Sequence, residues 1–243
     1  MAARLLLVHS PLVSSTTWDL VSAELARAGF ETEVPDLTAT VSAGPPYCVR
    51  QARVIARSAS GQPAILIGHS GAGPLLAAAG EMIGEGVRGY IFVDAGLPNP
   101  GRAWMETVPA DLAAQVREMA DADGWLPPWP LWWGEEIVAE LLPDPSVRQA
   151  FAASCPRLPL AMFEEIHPLA PQWPDAPVAY LQLSEAYQDE AATAGDAGWP
   201  VTTLMSHHLA MLTEPVRVAG SLDELTGLLL GQNPGGKQNV ISG

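Results

Sequence analysis

The sequence contains few cysteines. Cys48 and Cys155 are the only two in 243 residues, and their spacing matches no metal-binding or redox motif. Stabilisation by disulfides requires paired cysteines and an oxidising compartment. We therefore expect two free thiols, no bound metal and a cytoplasmic location.

Basic residues are also scarce. Twelve Lys and Arg stand against 27 Asp and Glu, which gives a formal net charge of −15, and no basic stripe is visible. Nucleic acids and anionic membrane surfaces are bound through clustered positive charge. We therefore expect neither nucleic acid nor a membrane as a partner, while the oligomeric state stays open.

Long apolar runs and an apolar leader segment are likewise missing. No stretch approaches the roughly 20 residues that a membrane-spanning helix needs, and residues 1–4 lead directly into a short apolar run. Charged residues make up only 16% of the chain and hydrophobic residues 48%, so we expect a sizeable core. The length suits one α/β domain with an insert.

Short apolar runs alternate with stretches of helical spacing along most of the chain. Strands that alternate with helices imply parallel crossover connections. The pattern predicts an α/β fold with a doubly wound, mostly parallel sheet of about six strands. The predicted strands are residues 5–8, 30–34, 64–67, 89–93, 178–183 and 201–205, and the predicted helices are 18–28, 49–60, 75–84, 191–197 and 215–230.

The composition changes over residues 98–175, which are rich in proline and tryptophan and show helical spacing without a strand signal. We interpret this segment as a helical cap inserted into a core that comprises residues 1–97 and 176–231. Residues 232–243 form a polar tail that we expect to be loose. The tryptophans of the predicted cap are Trp104, Trp125, Trp129, Trp132, Trp133 and Trp173.

A candidate nucleophile follows the apolar strand predicted at residues 64–67. The sequence Gly-His-Ser-Gly-Ala at residues 68–72 joins this strand to a predicted helix. Small residues on both sides of Ser70 allow a sharp strand–helix turn, which raises a serine hydroxyl above the sheet as in a nucleophile elbow. The usual last glycine of that motif is Ala72 here. The alternative interpretation is a glycine-rich turn with an incidental serine.

Together with two further motifs, this elbow resembles the α/β-hydrolase superfamily. The other motifs are Leu-Val-His at residues 7–9 with Trp18 nine residues later, and Ser-His-His-Leu-Ala-Met-Leu at residues 206–212 with Pro215 following. The chain is most similar to the small hydroxynitrile-lyase and plant-esterase type and to short actinobacterial hydrolases. The order of nucleophile, acid and histidine also fits.

This resemblance assigns catalytic roles to particular residues. Ser70 corresponds to the nucleophile, and His208 corresponds to the general base because the apolar Leu-Ala-Met-Leu run follows it directly; His207 is the alternative. The family usually carries an aspartate after the strand predicted at 178–183, but none stands there. Asp94 is our preferred acid and Glu185 the alternative, with Asp189, another residue or none left open.

The predicted oxyanion loop departs from the family. One donor should be the N–H of Gly71, and the other should come from the position of Pro11, which has no N–H. Either Leu12 or the side chain of Ser10 replaces it, or the hole is one donor short. Losing one donor can cost about 2.7–4 kcal/mol of transition-state stabilisation.

Four further residues are assigned to the binding pocket or its walls. His69, beside the nucleophile, is expected to line the pocket or brace the turn. Trp129, Trp132 and Trp133 are expected to offer an apolar, aromatic wall over Ser70. The alternative is that these indoles only hold short helices together.

The resemblance implies a cofactor-independent serine hydrolase that cleaves an ester, lactone or thioester of an apolar small molecule. The alternative is a non-hydrolytic enzyme of the same fold, a lyase, isomerase or cyclase that uses Ser70 and His208 as acid–base groups. Pro11 and the uncertain acid keep this alternative open. A binding protein is a third class, against which the Ser70–His208 pair argues.

Overall fold

A computed structural model describes residues 3–231, and its centre is a six-stranded sheet. Every pairing in this sheet is parallel, and the strands lie side by side in the order 32–33, 4–8, 64–69, 87–93, 178–182 and 201–203. This confirms the predicted fold class. The strands are β1 (Arg4–Val8), β2 (Thr32–Glu33), β3 (Ala64–His69), β4 (Val87–Val93), β7 (Val178–Gln182) and β8 (Val201–Thr203).

Helices connect these strands, so that each crossover returns the chain to the same end of the sheet. The five predicted helices are present with small shifts of their ends, and a short helix at residues 38–42 was not predicted. The helices of the core are α1 (Asp19–Arg27), α2 (Thr38–Ser42), α3 (Tyr47–Ser58), α4 (Leu75–Ile83), α9 (Gln188–Asp196), α10 (Ala210–Thr213) and α11 (Pro215–Leu229).

The sheet is covered on both faces because its four inner strands, β1, β3, β4 and β7, are apolar and buried at most positions. Alternate residues of each strand point to opposite sides. Leu7 and Ile67 lie in one core with residues of α1 and α11, whereas Leu66 and Phe92 lie in another with residues of α3, α4 and α9. The central strands are therefore packed against helices on both faces.

The inserted segment, residues 98–175 between β4 and β7, contains several short helices, and it also contains strands for which the sequence shows no signal. Two-residue strands at Trp125–Leu126 (β5) and Leu158–Pro159 (β6) pair antiparallel. Strands this short show no alternation that a sequence pattern could reveal. Residues of the segment, among them Val116 and Phe163, form an apolar cluster that also includes Val41 of α2. Its helices are α5 (Ala110–Glu118), α6 (Glu135–Leu141), α7 (Pro145–Ser154) and α8 (Leu160–Glu164).

The two edge strands are shorter than predicted. The second strand spans Thr32–Glu33 instead of residues 30–34, and the last spans Val201–Thr203 instead of residues 201–205. An edge strand pairs on one side only, so fewer residues meet a partner. The predicted tail, residues 232–243, lies outside the described residues. Within residues 3–231, no helix is long and apolar enough to cross a membrane.

Candidate active site

The predicted site residues converge at the carboxyl edge of the sheet. Ser70 follows β3, Asp94 follows β4 and His208 follows β8 by a short loop. In open parallel sheets this edge is where ligand sites form, because the loops after neighbouring strands meet there.

Ser70 occupies a strained turn between β3 and α4. Its φ is 55°, in the left-handed region that non-glycine residues rarely adopt. The turn is possible because its neighbours are small: a Cβ on Gly73 would lie 2.0 Å from the carbonyl oxygen of Gly96, and one on Gly68 would lie 3.0 Å from Leu76. The close approach that requires glycine thus falls at residue 73, which explains why Ala72 is tolerated at the preceding position.

Asp94 and His208 are joined by a hydrogen bond. The His208 Nδ1–H donates to Asp94 Oδ2 at 2.8 Å, and the Asp94 side chain is fully buried. Such a bond fixes the imidazole ring and leaves Nε2 free to accept a proton. Asp94 also has a positive φ, 44°, so the backbone turns sharply at both Ser70 and Asp94.

The carboxylate of Asp94 is stabilised by the loop after β7. The amides of Leu183 and Ser184 donate to Oδ1 at 2.8 and 2.9 Å, and the Ser184 hydroxyl donates to Oδ2 at 2.6 Å. Burial opposes ionisation, but the hydrogen bonds from His208, Ser184 and Leu183 outweigh it and lower the pKa of Asp94. Asp94 is therefore buried and ionised, and both of its carboxylate oxygens accept hydrogen bonds.

The residue after Asp94 is held by a tyrosine of the neighbouring strand. The hydroxyl of Tyr180 donates to the carbonyl of Ala95 at 2.9 Å and accepts from its N–H at 3.0 Å. These bonds anchor the backbone directly after Asp94 to β7.

The hydroxyl of Ser70 lies beside the hydroxyl of a tyrosine. The hydroxyl of Tyr187 lies 3.4 Å from Ser70 Oγ, and the Tyr187 ring stacks on the imidazole of His208 with centroids 5.1 Å apart and planes inclined by 8°. No hydrogen bond joins Ser70 to His208 within residues 3–231. Catalytic hydrogen bonds are often long in ligand-free enzymes. Sequence reasoning gave Tyr187 no role, because nothing in its local pattern indicates this contact.

His69 lies behind the site and braces it. Its Nε2–H donates to the carbonyl oxygen of His208 at 2.9 Å, and its ring lies 4.5 Å from the His208 ring. Burial, followed by the neighbouring His208, lowers the pKa of His69 to about 3, so the ring stays neutral. Its Nδ1 is buried without a hydrogen-bond partner among the described residues. His69 does not line the large cavity described below; it borders a small one of about 10 Å³.

The loop after β1 contains Pro11, which has no N–H to donate to an oxyanion. Pro11 is buried and borders the cavity together with Gly71 and Leu12. The Leu12 N–H donates to the Ser10 hydroxyl oxygen at 3.3 Å, and this oxygen is also 3.0 Å from where a Cβ on Gly71 would lie. The Leu12 amide is thus already engaged with Ser10, and Ser10 is close to the turn that contains Gly71.

The same loop is held from below by a buried histidine. The His9 Nδ1–H donates to the carbonyl oxygen of Ser10 at 2.9 Å, and its Nε2 accepts the Leu37 N–H at 3.0 Å. Burial lowers the pKa of His9, which keeps the ring in this neutral form. His9 therefore supports the loop and does not reach the cavity.

A cavity of about 1270 Å³ opens above Ser70 and His208. It lies between the core and the inserted segment. Trp129 is half-buried with its ring centroid 6.2 Å from that of His208, Trp132 is buried and Trp133 is exposed. Trp132 also packs on Phe163, so it belongs both to the cavity wall and to the apolar cluster of the segment. The tryptophans that line the cavity are Trp104, Trp129, Trp132, Trp133, Trp173 and Trp199.

The alternative acids and the alternative histidine line the cavity, but they take no part in the contact between His208 and Asp94. Glu185 and Asp189 are exposed, and neither bonds to His208. His207 is half-buried; its Nε2 pairs with the Thr213 hydroxyl at 2.7 Å, and its Nδ1 accepts the Leu209 N–H. Both ring nitrogens of His207 are therefore used by the local loop.

The family of the chain follows from its sequence as well as from this arrangement. The sequence matches the model of the alpha/beta hydrolase family over residues 5–221. The chain therefore belongs to the alpha/beta hydrolase family, as the resemblance implied. A search of curated proteins found no match.

Solved structures with the same fold cover almost the whole chain. An extracellular alpha/beta-hydrolase from a Paenibacillus species, described as homologous in structure and function to tobacco salicylic acid binding protein 2, has a TM-score of 0.74 at 17% identity and covers 92% of this chain and 99% of its own. A pyrethroid hydrolase from Sphingobium faniae JZ-2 has a TM-score of 0.68 at 19% identity, with coverages of 93% and 98%.

A third similar structure is tomato methylketone synthase I, in a variant complexed with beta-ketoheptanoate. Its TM-score is 0.72 at 15% identity, and the coverages are 94% of this chain and 100% of that one. At these identities the likeness shows a shared fold.

Proposed function

We propose that the chain is a cofactor-independent serine hydrolase that cleaves an ester, lactone or thioester bond of an apolar small molecule. The observation that carries this proposal is the hydrogen bond to the buried carboxylate of Asp94 from His208, which lines the same cavity as Ser70. Membership of the alpha/beta hydrolase family supports an enzyme at this site.

The residues have the properties that acyl transfer needs. Ser70 Oγ attacks the substrate carbonyl while His208 Nε2 accepts its proton, and Asp94 stabilises the resulting imidazolium. The Gly71 N–H donates to the oxyanion. His208 then returns the proton to the leaving oxygen or sulfur, and an acyl-enzyme remains. Water, activated by His208, releases the acid and regenerates Ser70.

The cavity supports an apolar substrate. Tryptophans from the inserted segment and the core face it, and aromatic walls provide large contact area with few rotatable bonds. Its volume of about 1270 Å³ accommodates more than a short-chain ester.

The alternative is a lyase, isomerase or cyclase that uses Ser70 and His208 as acid–base groups. Two observations favour it: Pro11 has no N–H to offer an oxyanion, and the Leu12 N–H is engaged by Ser10. Such an enzyme needs no covalent intermediate on Ser70.

Hydrolysis of a panel of p-nitrophenyl esters, thioesters and lactones with acyl chains of increasing length tests the proposal. We expect kcat/KM to rise with apolar chain length in the wild type and turnover to vanish in Ser70→Ala. If the wild type turns over none of the panel, or if Ser70→Ala retains the wild-type rate, the serine-hydrolase proposal is wrong.

A further inference from the structure

Tyr187 contacts both the candidate nucleophile and the candidate base. Its hydroxyl lies 3.4 Å from Ser70 Oγ, and its ring is nearly parallel to the imidazole of His208, with a centroid distance of 5.1 Å. A separation of 3.4 Å is long for two hydroxyl groups, for which about 2.7–2.8 Å is usual. The Tyr187 hydroxyl is therefore beside Ser70 without being fixed to it, and a small movement can bring it to another acceptor.

The position of Tyr187 is set by the same loop that holds Asp94. Ser184 is anchored by its amide and hydroxyl to the Asp94 carboxylate, and one helical turn, Glu185–Tyr187, follows directly. The Tyr187 side chain is thus placed by a short, tethered connection. Burial raises the pKa of Tyr187 to about 12, so its hydroxyl carries a proton in neutral solution and can donate a hydrogen bond.

The Tyr187 hydroxyl lies on the same side of Ser70 as the candidate base, His208. In acyl transfer the leaving oxygen must come within hydrogen-bond reach of the nitrogen that protonates it, here His208 Nε2. Tyr187 stacks on His208 and reaches Ser70, so its hydroxyl borders the place that this leaving oxygen occupies. The Gly71 N–H, by contrast, belongs to the turn after Ser70 and near the Ser10 hydroxyl.

We propose that Tyr187 is a further catalytic residue, whose hydroxyl donates a hydrogen bond to the leaving-group oxygen of the ester as its bond to the acyl carbon breaks. This role rests on the proposed function. His208 supplies the proton that the leaving oxygen keeps, whereas Tyr187 retains its own proton and lowers the charge that builds up on that oxygen. In the ligand-free enzyme the same hydroxyl lies 3.4 Å from Ser70 Oγ, close enough to move onto the leaving oxygen.

The test measures how the loss of kcat/KM in Tyr187→Phe depends on the leaving group of the ester. Esters of one acid with p-nitrophenol, phenol, trifluoroethanol and ethanol form a series of increasing leaving-group basicity. A weakly basic p-nitrophenolate needs little help, whereas an ethoxide needs a donor. We expect Tyr187→Phe to lose about tenfold to hundredfold more kcat/KM with the ethyl ester than with the p-nitrophenyl ester, as for a hydrogen bond to a charged oxygen.

Tyr90→Phe is the matched control. It also removes a phenol hydroxyl with a hydrogen bond, to Asp175 at 2.6 Å, but this group lies outside the cavity. Any loss of kcat/KM in Tyr90→Phe should be the same for every leaving group in the series. If Tyr187→Phe does not fold, Tyr187→Leu provides the same comparison, and we expect the same slope with leaving-group basicity.

Equal losses across the series in an active, folded Tyr187 variant would overturn the role of Tyr187 and indicate packing against His208. Failure of the proposed function is seen separately in the wild type, as the absence of turnover with every ester, and that result would overturn both proposals.

Discussion

Ser184 donates two hydrogen bonds to the carboxylate of Asp94, one from its amide at 2.9 Å and one from its hydroxyl at 2.6 Å. Ser184 lies two residues after the end of β7, in the loop where the family resemblance leads one to expect the acid. In this chain that position therefore carries a residue that binds a carboxylate, while the carboxylate itself comes from the end of the neighbouring strand β4. The contact gives the imidazole of His208 an oriented, ionised partner.

The first prediction concerns this acid. Replacing Asp94 by Asn removes the charge but keeps the shape, so His208 loses the acceptor that fixes its tautomer and stabilises its protonated form. We expect kcat to fall by about 10³- to 10⁴-fold, as for the equivalent change in a serine protease. Glu185→Gln is the matched control because Glu185 is exposed at the same cavity, and it should stay within about twofold of wild type. Near-wild-type rates in both variants would show that neither residue serves as the acid.

The second prediction separates two adjacent histidines. His208 bonds to Asp94, whereas both ring nitrogens of His207 are occupied by its own loop. His208→Ala should therefore lower kcat by several orders of magnitude, and His207→Ala much less, when both are measured with the same p-nitrophenyl ester. A larger loss in His207→Ala, with both variants folded, would mean that the base was assigned wrongly.

The third prediction concerns Pro11. If the site has only the Gly71 N–H for the oxyanion, Pro11→Ala supplies a second donor and should accelerate hydrolysis of activated esters by up to roughly a hundredfold. Leu12 is engaged by Ser10, which favours this outcome. Pro98→Ala, at another proline of the cavity wall, controls for general loosening. An unchanged or lower rate in folded Pro11→Ala would argue that Leu12 already donates to the oxyanion.

Much of the fold could be predicted from the sequence because it depends on local patterns. Apolar runs between helical stretches indicate a parallel sheet, and the small residues around Ser70 indicate its turn. The position of His208 was also accessible, since the apolar run after it fits the start of a helix. The two-residue strands β5 and β6 were not accessible, because they have too few residues to alternate and one of them contains a proline.

The contacts within the site are less accessible from sequence because they are non-local. Asp94 and His208 are 114 positions apart, and the choice of Asp94 over Glu185 depends on how the loops after β4 and β7 meet. Tyr187 was missed for the same reason, since its stacking on His208 exists only in three dimensions. The sequence did offer one signal for the acid. An aspartate, Asp94, ends one strand, and a serine, Ser184, instead of an aspartate follows the next strand of the sheet.

The most direct measurement of the central claim is covalent labelling with a fluorophosphonate, followed by intact mass and peptide mapping. The account predicts one equivalent of label on Ser70, no label in Ser70→Ala and slow labelling in Asp94→Asn, because the nucleophile depends on the His208–Asp94 pair. Ser60→Ala is the matched control: Ser60 also has a positive φ, 51°, but is exposed at the end of α3, and its replacement should leave labelling intact. A wild-type enzyme that hydrolyses esters without labelling at Ser70, or that labels equally in Ser70→Ala, would contradict the account.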